Sequence, residues 1–315
     1  MPIVEKDPWR QQYFEHVACP DDVVIPTDDE LAYRLYPEHR WIYSKLQVAE
    51  SQDLDCAPHG IVPESYPVFS KPIMNLRGMG TGGQVVASRA EFERIQQPGY
   101  MWMPMMVGEH VSTDGVLVDG EPQWWRHTIG VEMGGGTFNY WTVEAEARPD
   151  LEEAIGAWTR RHLVGYTGAF NVETIGGQII EVHLRFADQW PDLYGDGWLE
   201  ALVRLYDEGT WAYADDDRRT GYSVVLFGGH GARYAPVDRA KVQALTERPA
   251  ISSVQVTFHE DRDAGLHAMP PGGFRLGIVN AWTLDAGLQA RRDLADLFVA
   301  AQEDAPSQAT VPPLS

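Results

Sequence analysis

The chain is short of several things, and each shortage narrows what it can be. Two cysteines, Cys19 and Cys56, are too few for a disulfide scaffold or a cysteine-rich zinc site. Positive charge is scarce: 25 basic residues face 46 acidic ones, a formal net charge of −21 that repels nucleic acid and anionic membranes. Lysine is scarcer still, at positions 6, 45, 71 and 241 only. No apolar run approaches the roughly 18 residues of a membrane span, and the start MPIVEKDPWR lacks a basic-then-apolar leader. These absences predict a protein of the reducing cytoplasm, with no nucleic-acid or membrane partner. What is present is globular in profile: 315 residues, 44% hydrophobic and 23% charged. Codon bias alone accounts for a preference for arginine. Even so, where arginine is the default cation, a retained lysine is a candidate for a compact point charge.

The order of elements is mixed α and β, without the regular alternation of a doubly wound sheet. Residues 1–40 are polar and interrupted by proline, with an acidic patch in TDDE. They are too short for a domain and are expected to pack on the longer segment C-terminal to them. HRWIYSKLQVAESQ (39–52) has helical spacing and carries Lys45. YPVFSKPIM (66–74) reads as a strand, followed by the glycine-rich NLRGMGTGG (75–83), a second strand and a Ser88-capped helix. From 101 to 147 the pattern is mostly β, with Asp119-Gly120 as a hairpin turn. Asp150, with Glu153 three residues on, predicts a capping box opening a helix. GAFNVETI and GQIIEVHLRF are two strands joined by Gly176-Gly177, and WLEALVRLYDEG (198–209) is an amphipathic helix. Three more apolar strands and a helix over about 284–301 complete the order, before a compositionally disordered tail at 302–315.

Alternation along a strand puts Glu181, His183 and Arg185 on one face, and Glu173 on the neighbouring strand can meet that face. Two carboxylates, a third polar ligand and an arginine suit Mg²⁺ carrying nucleotide phosphates. The same pattern also suits an ordinary salt-bridged strand face. Lys71 near a strand end, then a glycine loop, suits phosphate held by backbone N–H groups and one ammonium, although glycine loops also make plain hairpins. It is not a P-loop, because no GxxxxGK[ST] occurs. Trp124, Trp125, Tyr140 and Trp141 suit core packing or an aromatic wall for an acceptor molecule. Asp188 and Asp192 suit a cationic substrate or a helix cap, and His230, His259 and His267 match no tight metal motif.

Together and in this order, the pieces resemble the ATP-grasp superfamily, most of all its biotin carboxylase and carbamoyl phosphate synthetase members. The resemblance covers about 41–210. It implies an α+β ATP-grasp fold, two α+β lobes clasping a nucleotide, with a shortened N-terminal region. Lys45 in HRWIYSK and Lys71 in YPVFSKP fall at the two nucleotide lysines, and RGMGTGG, with Arg77, Gly78, Gly80 and Gly82, falls at the mobile phosphate loop. Backbone groups around Met103 and Met105 fall at the adenine position, and Glu109 or His110 near ribose or phosphate. NVE and IIEVHLR fall at the metal hairpin, with Glu173, Glu181 and His183 as ligands and Arg185 as the phosphate or substrate arginine.

Departures stand beside the matches. His183 replaces an asparagine ligand, which suits Mn²⁺ better than Mg²⁺. Gln189 stands where biotin carboxylases carry a glutamate, and Met103-Pro104 replaces an acidic pair. PPGGFRLGIVNAW extends the resemblance weakly toward the C-terminus. The implied organisation is a lead segment (1–40), a nucleotide-binding core (41–210), a C-terminal β-rich part (211–301) and the tail. The implied activity is an ATP-dependent carboxylate–amine ligase working through an acyl phosphate, with Arg185 and Lys71 catalytic, ATP and Mg²⁺ or Mn²⁺ as cofactors, and a homodimer as the family-level assembly. A phosphotransferase of the same fold, or a degenerate nucleotide-binding protein acting through partners, fits the same resemblance.

Overall fold

A computed structural model describes residues 8–76, 80–230, 232–258, 270 and 272–299. The lead segment holds a short α1 (Pro8–Gln11) and α2 (Asp29–Leu35), whose cap Asp28 accepts from the N–H of Leu31. It packs on the large sheet and its connections: Trp9, Tyr13, Phe14, Val23 and Ile25 enter one core with Trp124, Trp141, Trp190 and Trp198. The helix expected over 39–52 is broken. A 3-10 turn covers Arg40–Tyr43, Ser44 takes an extended ψ of 99° and caps, and α3 (Lys45–Glu50) restarts with Lys45 in its first turn.

A small antiparallel sheet comes next, made of β1 (Ala57–Pro58), β2 (Val68–Pro72), β3 (Gln84–Val86) and β4 (Tyr100–Pro104) in the order β1-β4-β2-β3. α4 (Arg89–Ile95) joins β3 to β4, with the Ser88 hydroxyl accepting from the N–H of Glu91.

The rest of the chain builds one eight-stranded antiparallel sheet. Its first strands are β5 (His110–Val118), β6 (Glu121–Gly134) and β7 (Thr137–Val143). α5 (Pro149–His162) precedes β8 (Gly168–Ile175) and β9 (Gln178–His183), and α6 (Trp198–Glu208) comes after them. β10 (Gly221–Gly228), α7 (Arg239–Thr246), β11 (Ile251–Val256), β12 (Phe274–Ala281) and α8 (Leu284–Ala295) complete it. The strand order is β11-β12-β10-β7-β6-β5-β8-β9, so the C-terminal strands extend the same sheet that carries the β8–β9 hairpin.

Both expected hairpin turns form, with positive φ at both central residues: 54° and 81° at Asp119 and Gly120, 58° and 84° at Gly176 and Gly177. That geometry matches the twist of the flanking strands.

Three expectations are corrected. Asp150 does not cap α5: the helix opens one residue earlier at Pro149, whose fixed φ suits the first helical position, and Glu152 accepts from the N–H of Arg148. β9 ends at His183, because the N–H of Leu184 donates to the Tyr43 hydroxyl rather than to a strand; Arg185 lies beyond the strand end. α8 stops at Ala295, short of 301. The expected tail, 302–315, lies outside the described residues, as do His259 and His267. Among the described residues, no helix is long and apolar enough to cross a membrane.

Candidate active site

A cleft of about 680 Å³ is lined from one side by β2, the turn after it and β4, and from the other by the inner face of the large sheet. Register explains the charge gathered there. Glu173 pairs directly with Glu181 across β8–β9, Asn171 pairs with His183, and Ser112 of β5 pairs with Glu173. Cross-strand partners share a face, so these side chains form one polar lattice.

Each carboxylate of the lattice already has a basic partner. Lys45 Nζ lies 2.8 Å from Glu181 Oε1, and His110 Nε2 lies 3.2 Å from Glu173 Oε2. Burial works against ionisation of Glu173, but the hydrogen bond and charge of His110, with His183 and Lys45 nearby, hold its carboxyl below the usual range. Burial lowers His110 and the Glu173 contact outweighs it, leaving the imidazole raised. Lys71 is almost fully buried, at 7% exposure, and its Nζ donates to the Ile180 carbonyl at 2.9 Å. Burial, then the charge of Lys45, pushes Lys71 down to about 8.

Asp29, from the lead segment, is the anchor that sequence reasoning missed. Both of its oxygens lie 3.0 Å from His183 Nδ1; it accepts from Arg185 Nη2 at 3.2 Å, and Arg185 Nε lies 3.1 Å from its Oδ1. Burial resists its ionisation, yet the charges of Arg185 and His183 drive its carboxyl well below normal. The same contacts raise His183 and Arg185 against their own burial. The only sequence signal was the acidic patch in TDDE; its target lies 154 residues away.

The other expected residues fall into place unequally. Gly80 (φ 59°) lines the cleft, whereas Gly82 (φ 82°) turns toward Tyr100, whose hydroxyl an added Cβ would meet at 2.5 Å. Arg77 and Gly78 lie outside the described residues. Met103 and Met105 line the cleft. His110, the first residue of β5, faces it; Glu109 precedes the strand, is exposed and pairs with Arg148. Glu173 and Glu181 are the donor type a hard divalent cation takes. His183 turns Nδ1 to Asp29, which leaves Nε2 on the side of Glu181, 3.8 Å from its Oε1. Among the described residues no group of three or more His, Cys, Asp or Glu side chains is gathered for a metal.

The far half of the cleft is built from residues the sequence left open. Asp188 lines it, bound to Arg10; Arg10, Arg275 and Arg185 together hold its carboxyl low despite burial. Gln189 accepts from Arg275 at 3.0 Å and donates to Ser223 at 2.9 Å. Asp192 is instead bound by Asn280 at 2.7 Å, outside the cleft lining. Of the four aromatics, Trp141 reaches the cleft, while Trp124, Trp125 and Tyr140 pack in cores.

No protein-family sequence model matches the chain, and no curated protein sequence does either. Solved structures do. Phosphoribosylamine–glycine ligase from Thermotoga maritima superposes with a TM-score of 0.60 at 14% identity, over 92% of this chain and 86% of that one. L-amino acid ligase from Bacillus licheniformis gives 0.58 at 13% identity, over 82% and 72%. Carboxyaminoimidazole ribonucleotide synthase from Aspergillus clavatus, solved with ATP, gives 0.57 at 14%, over 82% and 73%. At such identities the likeness is one of fold, and the fold is ATP-grasp.

Proposed function

We propose that the protein is an ATP-dependent carboxylate–amine ligase of the cytoplasm. The observation that carries this reading is the convergence, in one cleft, of Lys45 and Lys71 with the paired carboxylates Glu173 and Glu181 and with Arg185. Two ammoniums, two carboxylates and a guanidinium make a set for holding a polyphosphate with a divalent metal and a developing anion. The ATP-grasp neighbours named as ligases support the same direction.

In this reading Glu173 and Glu181 would hold Mg²⁺ or Mn²⁺, which would supply charge neutralisation to the phosphates when bound. Lys45, Lys71 and the turn at Gly80 bind phosphate, and the segment at Met103–Met105 borders adenine, with His110 on the ribose or phosphate side. A substrate carboxylate oxygen attacks the γ-phosphorus, the bond to ADP breaks, and an acyl phosphate forms. The amine nitrogen then attacks the acyl carbon, phosphate leaves with the C–O bond pair, and the nitrogen loses a proton to water. Arg185, held by Asp29, stabilises the anion at the acyl centre. Most of this is positioning and charge stabilisation, so a dedicated nucleophile is not required.

Incubation with ATP, Mg²⁺ or Mn²⁺ and panels of acids and amines tests it. A ligase releases phosphate in step with amide. ADP with a phosphorylated product and no free phosphate would make it a phosphotransferase. ATP-dependent thermal stabilisation without turnover would make it a binding protein. No response to ATP at all would end the nucleotide reading.

A further inference from the structure

The far half of the cleft carries more aromatic surface than a phosphate site needs. Phe138 and Trp141 lie with ring centroids 4.1 Å apart, Trp141 continues to Trp190 at 5.4 Å, and all three line the cleft with Phe227. The pair is seated on strand backbone. A Cβ on Gly130 would meet Phe138 at 2.5 Å and Trp141 at 2.9 Å, so only glycine lets both rings lie down there. At one end the rings meet His110, 6.3 Å from Phe138 and 6.1 Å from Trp141, and through it the Glu173 carboxylate. At the other end Trp190 adjoins Gln189, which accepts from Arg275; Phe227 is the cross-strand partner of Arg275. Arg185 lines the same space.

The geometry points to an acid that bears a flat apolar group, a phenylalanine- or tryptophan-like amino acid, as the carboxylate substrate; this rests on the ligase reading. Its carboxylate faces the guanidinium groups, and its ring lies along Phe138 and Trp141, where aromatic contact adds to burial. A side-chain carboxylate is disfavoured. The wall is mostly ring surface without a cation, and Glu132, which lines the cleft and makes no ion pair among the described residues, repels it. Small aliphatic acids fit but leave the wall wet.

Hydroxylamine provides a readout independent of the natural amine, because it attacks an acyl phosphate to give a hydroxamate and free phosphate. With ATP and Mg²⁺, L-phenylalanine and L-tryptophan are expected to form hydroxamate with kcat/KM at least tenfold above L-alanine, acetate and L-glutamate. Trp141→Ala should raise KM for L-phenylalanine about tenfold, with KM for ATP unchanged, and Trp141→Phe should restore it to within threefold. If Trp141→Ala does not fold, Phe138→Leu makes the same test. Hydroxamate from aliphatic acids at equal or higher efficiency would overturn the inference and leave the ligase reading standing. Should no acid turn over while ATP still stabilises the protein, thermal shift with ATP decides: L-phenylalanine adding no more than L-alanine overturns it. Failure of ATP itself to stabilise the protein would sink the ligase reading and this inference with it.

Discussion

Two ends of the same sheet face bury polar groups in opposite ways. At the β5–β8–β9 end the groups are charged and border the cleft: Glu173 on His110, Glu181 on Lys45, Asp29 on His183 and Arg185. At the β10–β11–β12 end they are mostly amides and hydroxyls outside it. Asn280 donates to the Gln189 carbonyl at 2.9 Å and to Asp192 at 2.7 Å, and Gln255 donates to the same carbonyl and to the Tyr13 hydroxyl. The second network ties the lead segment and the 189–192 connection to the sheet, which is a structural task. On the proposed reading the first offers pairs that would be exchanged: a phosphate would replace Glu181 as partner of Lys45, and a metal would replace Lys45 as partner of Glu181. The charged pairs at the first end are, in that reading, where a charged ligand would take over the pairing.

The largest expected effect comes from removing charge at the first end. Lys71→Met keeps the side-chain length and should lower ATP-dependent turnover about 10³-fold, the scale of losing one positioned electrostatic group. Stability should not fall. Burial has pushed Lys71 from 10.5 to about 8, so its charge costs the fold roughly 2–4 kcal/mol near neutral pH. Losing the bond to the Ile180 carbonyl returns about 1 kcal/mol of that. Denaturant unfolding and phosphate release, measured on the same preparation, check both halves. Turnover within tenfold of wild type would remove Lys71 from the site.

The converse belongs to the other end. Asn280→Ala leaves the Tyr13 hydroxyl, the Gln189 carbonyl and Asp192 short of a donor, and should cost about 3 kcal/mol of stability. The folded fraction should bind ATP as wild type does, by calorimetry. Weakened ATP binding with unchanged stability would reverse the division between the two ends.

Asp114 sits between them and titrates. It is fully buried on β5, accepting from Ala187 N–H and the Tyr194 hydroxyl, both at 2.6 Å. Burial pushes its carboxyl up to about 6 from 3.8, with those hydrogen bonds pulling it partway back. The folded state therefore binds the proton more tightly than the unfolded chain between those values. Its contribution to stability grows as pH falls from about 7 to 4. Measured against Asp114→Asn, which lacks the titration, wild type should gain about 2 kcal/mol over that interval. A difference that shrinks with falling pH would mean that the carboxyl is not raised.

What was legible in the sequence depends on the range of the forces involved. The Gly176-Gly177 turn and strand alternation set the β8–β9 lattice locally, so Glu173, Glu181 and His183 were readable as one face. Lys45 and Lys71 were readable by scarcity and by resemblance. Asp29 was not, because its meaning depends on a helix N-terminus docking against a strand end 154 residues on. The pairing of Arg10 with Asp188 is likewise tertiary, across 178 residues. The strand end at His183 was hidden for the same reason: the group that claims the Leu184 N–H is the hydroxyl of Tyr43.

The smallest expected effect tests the boundary of the charged end. Glu109 and His110 were equivalent in the sequence, but β5 opens with His110 facing the cleft, and Glu109 lies before the strand. Glu109 is half exposed and meets Arg148 at the surface, where such a pair contributes about 0.5 kcal/mol or less. Glu144 already holds Arg148 through two further contacts, at 2.6 and 3.1 Å, so the guanidinium keeps its place without Glu109. Glu109→Gln should therefore leave stability within about 0.5 kcal/mol and KM for ATP within twofold. His110→Ala should raise KM for ATP severalfold, because it removes the side chain hydrogen-bonded to Glu173 among the described residues. If the two variants exchanged these outcomes, Glu109 rather than His110 would border the nucleotide, and the charged end would begin before β5.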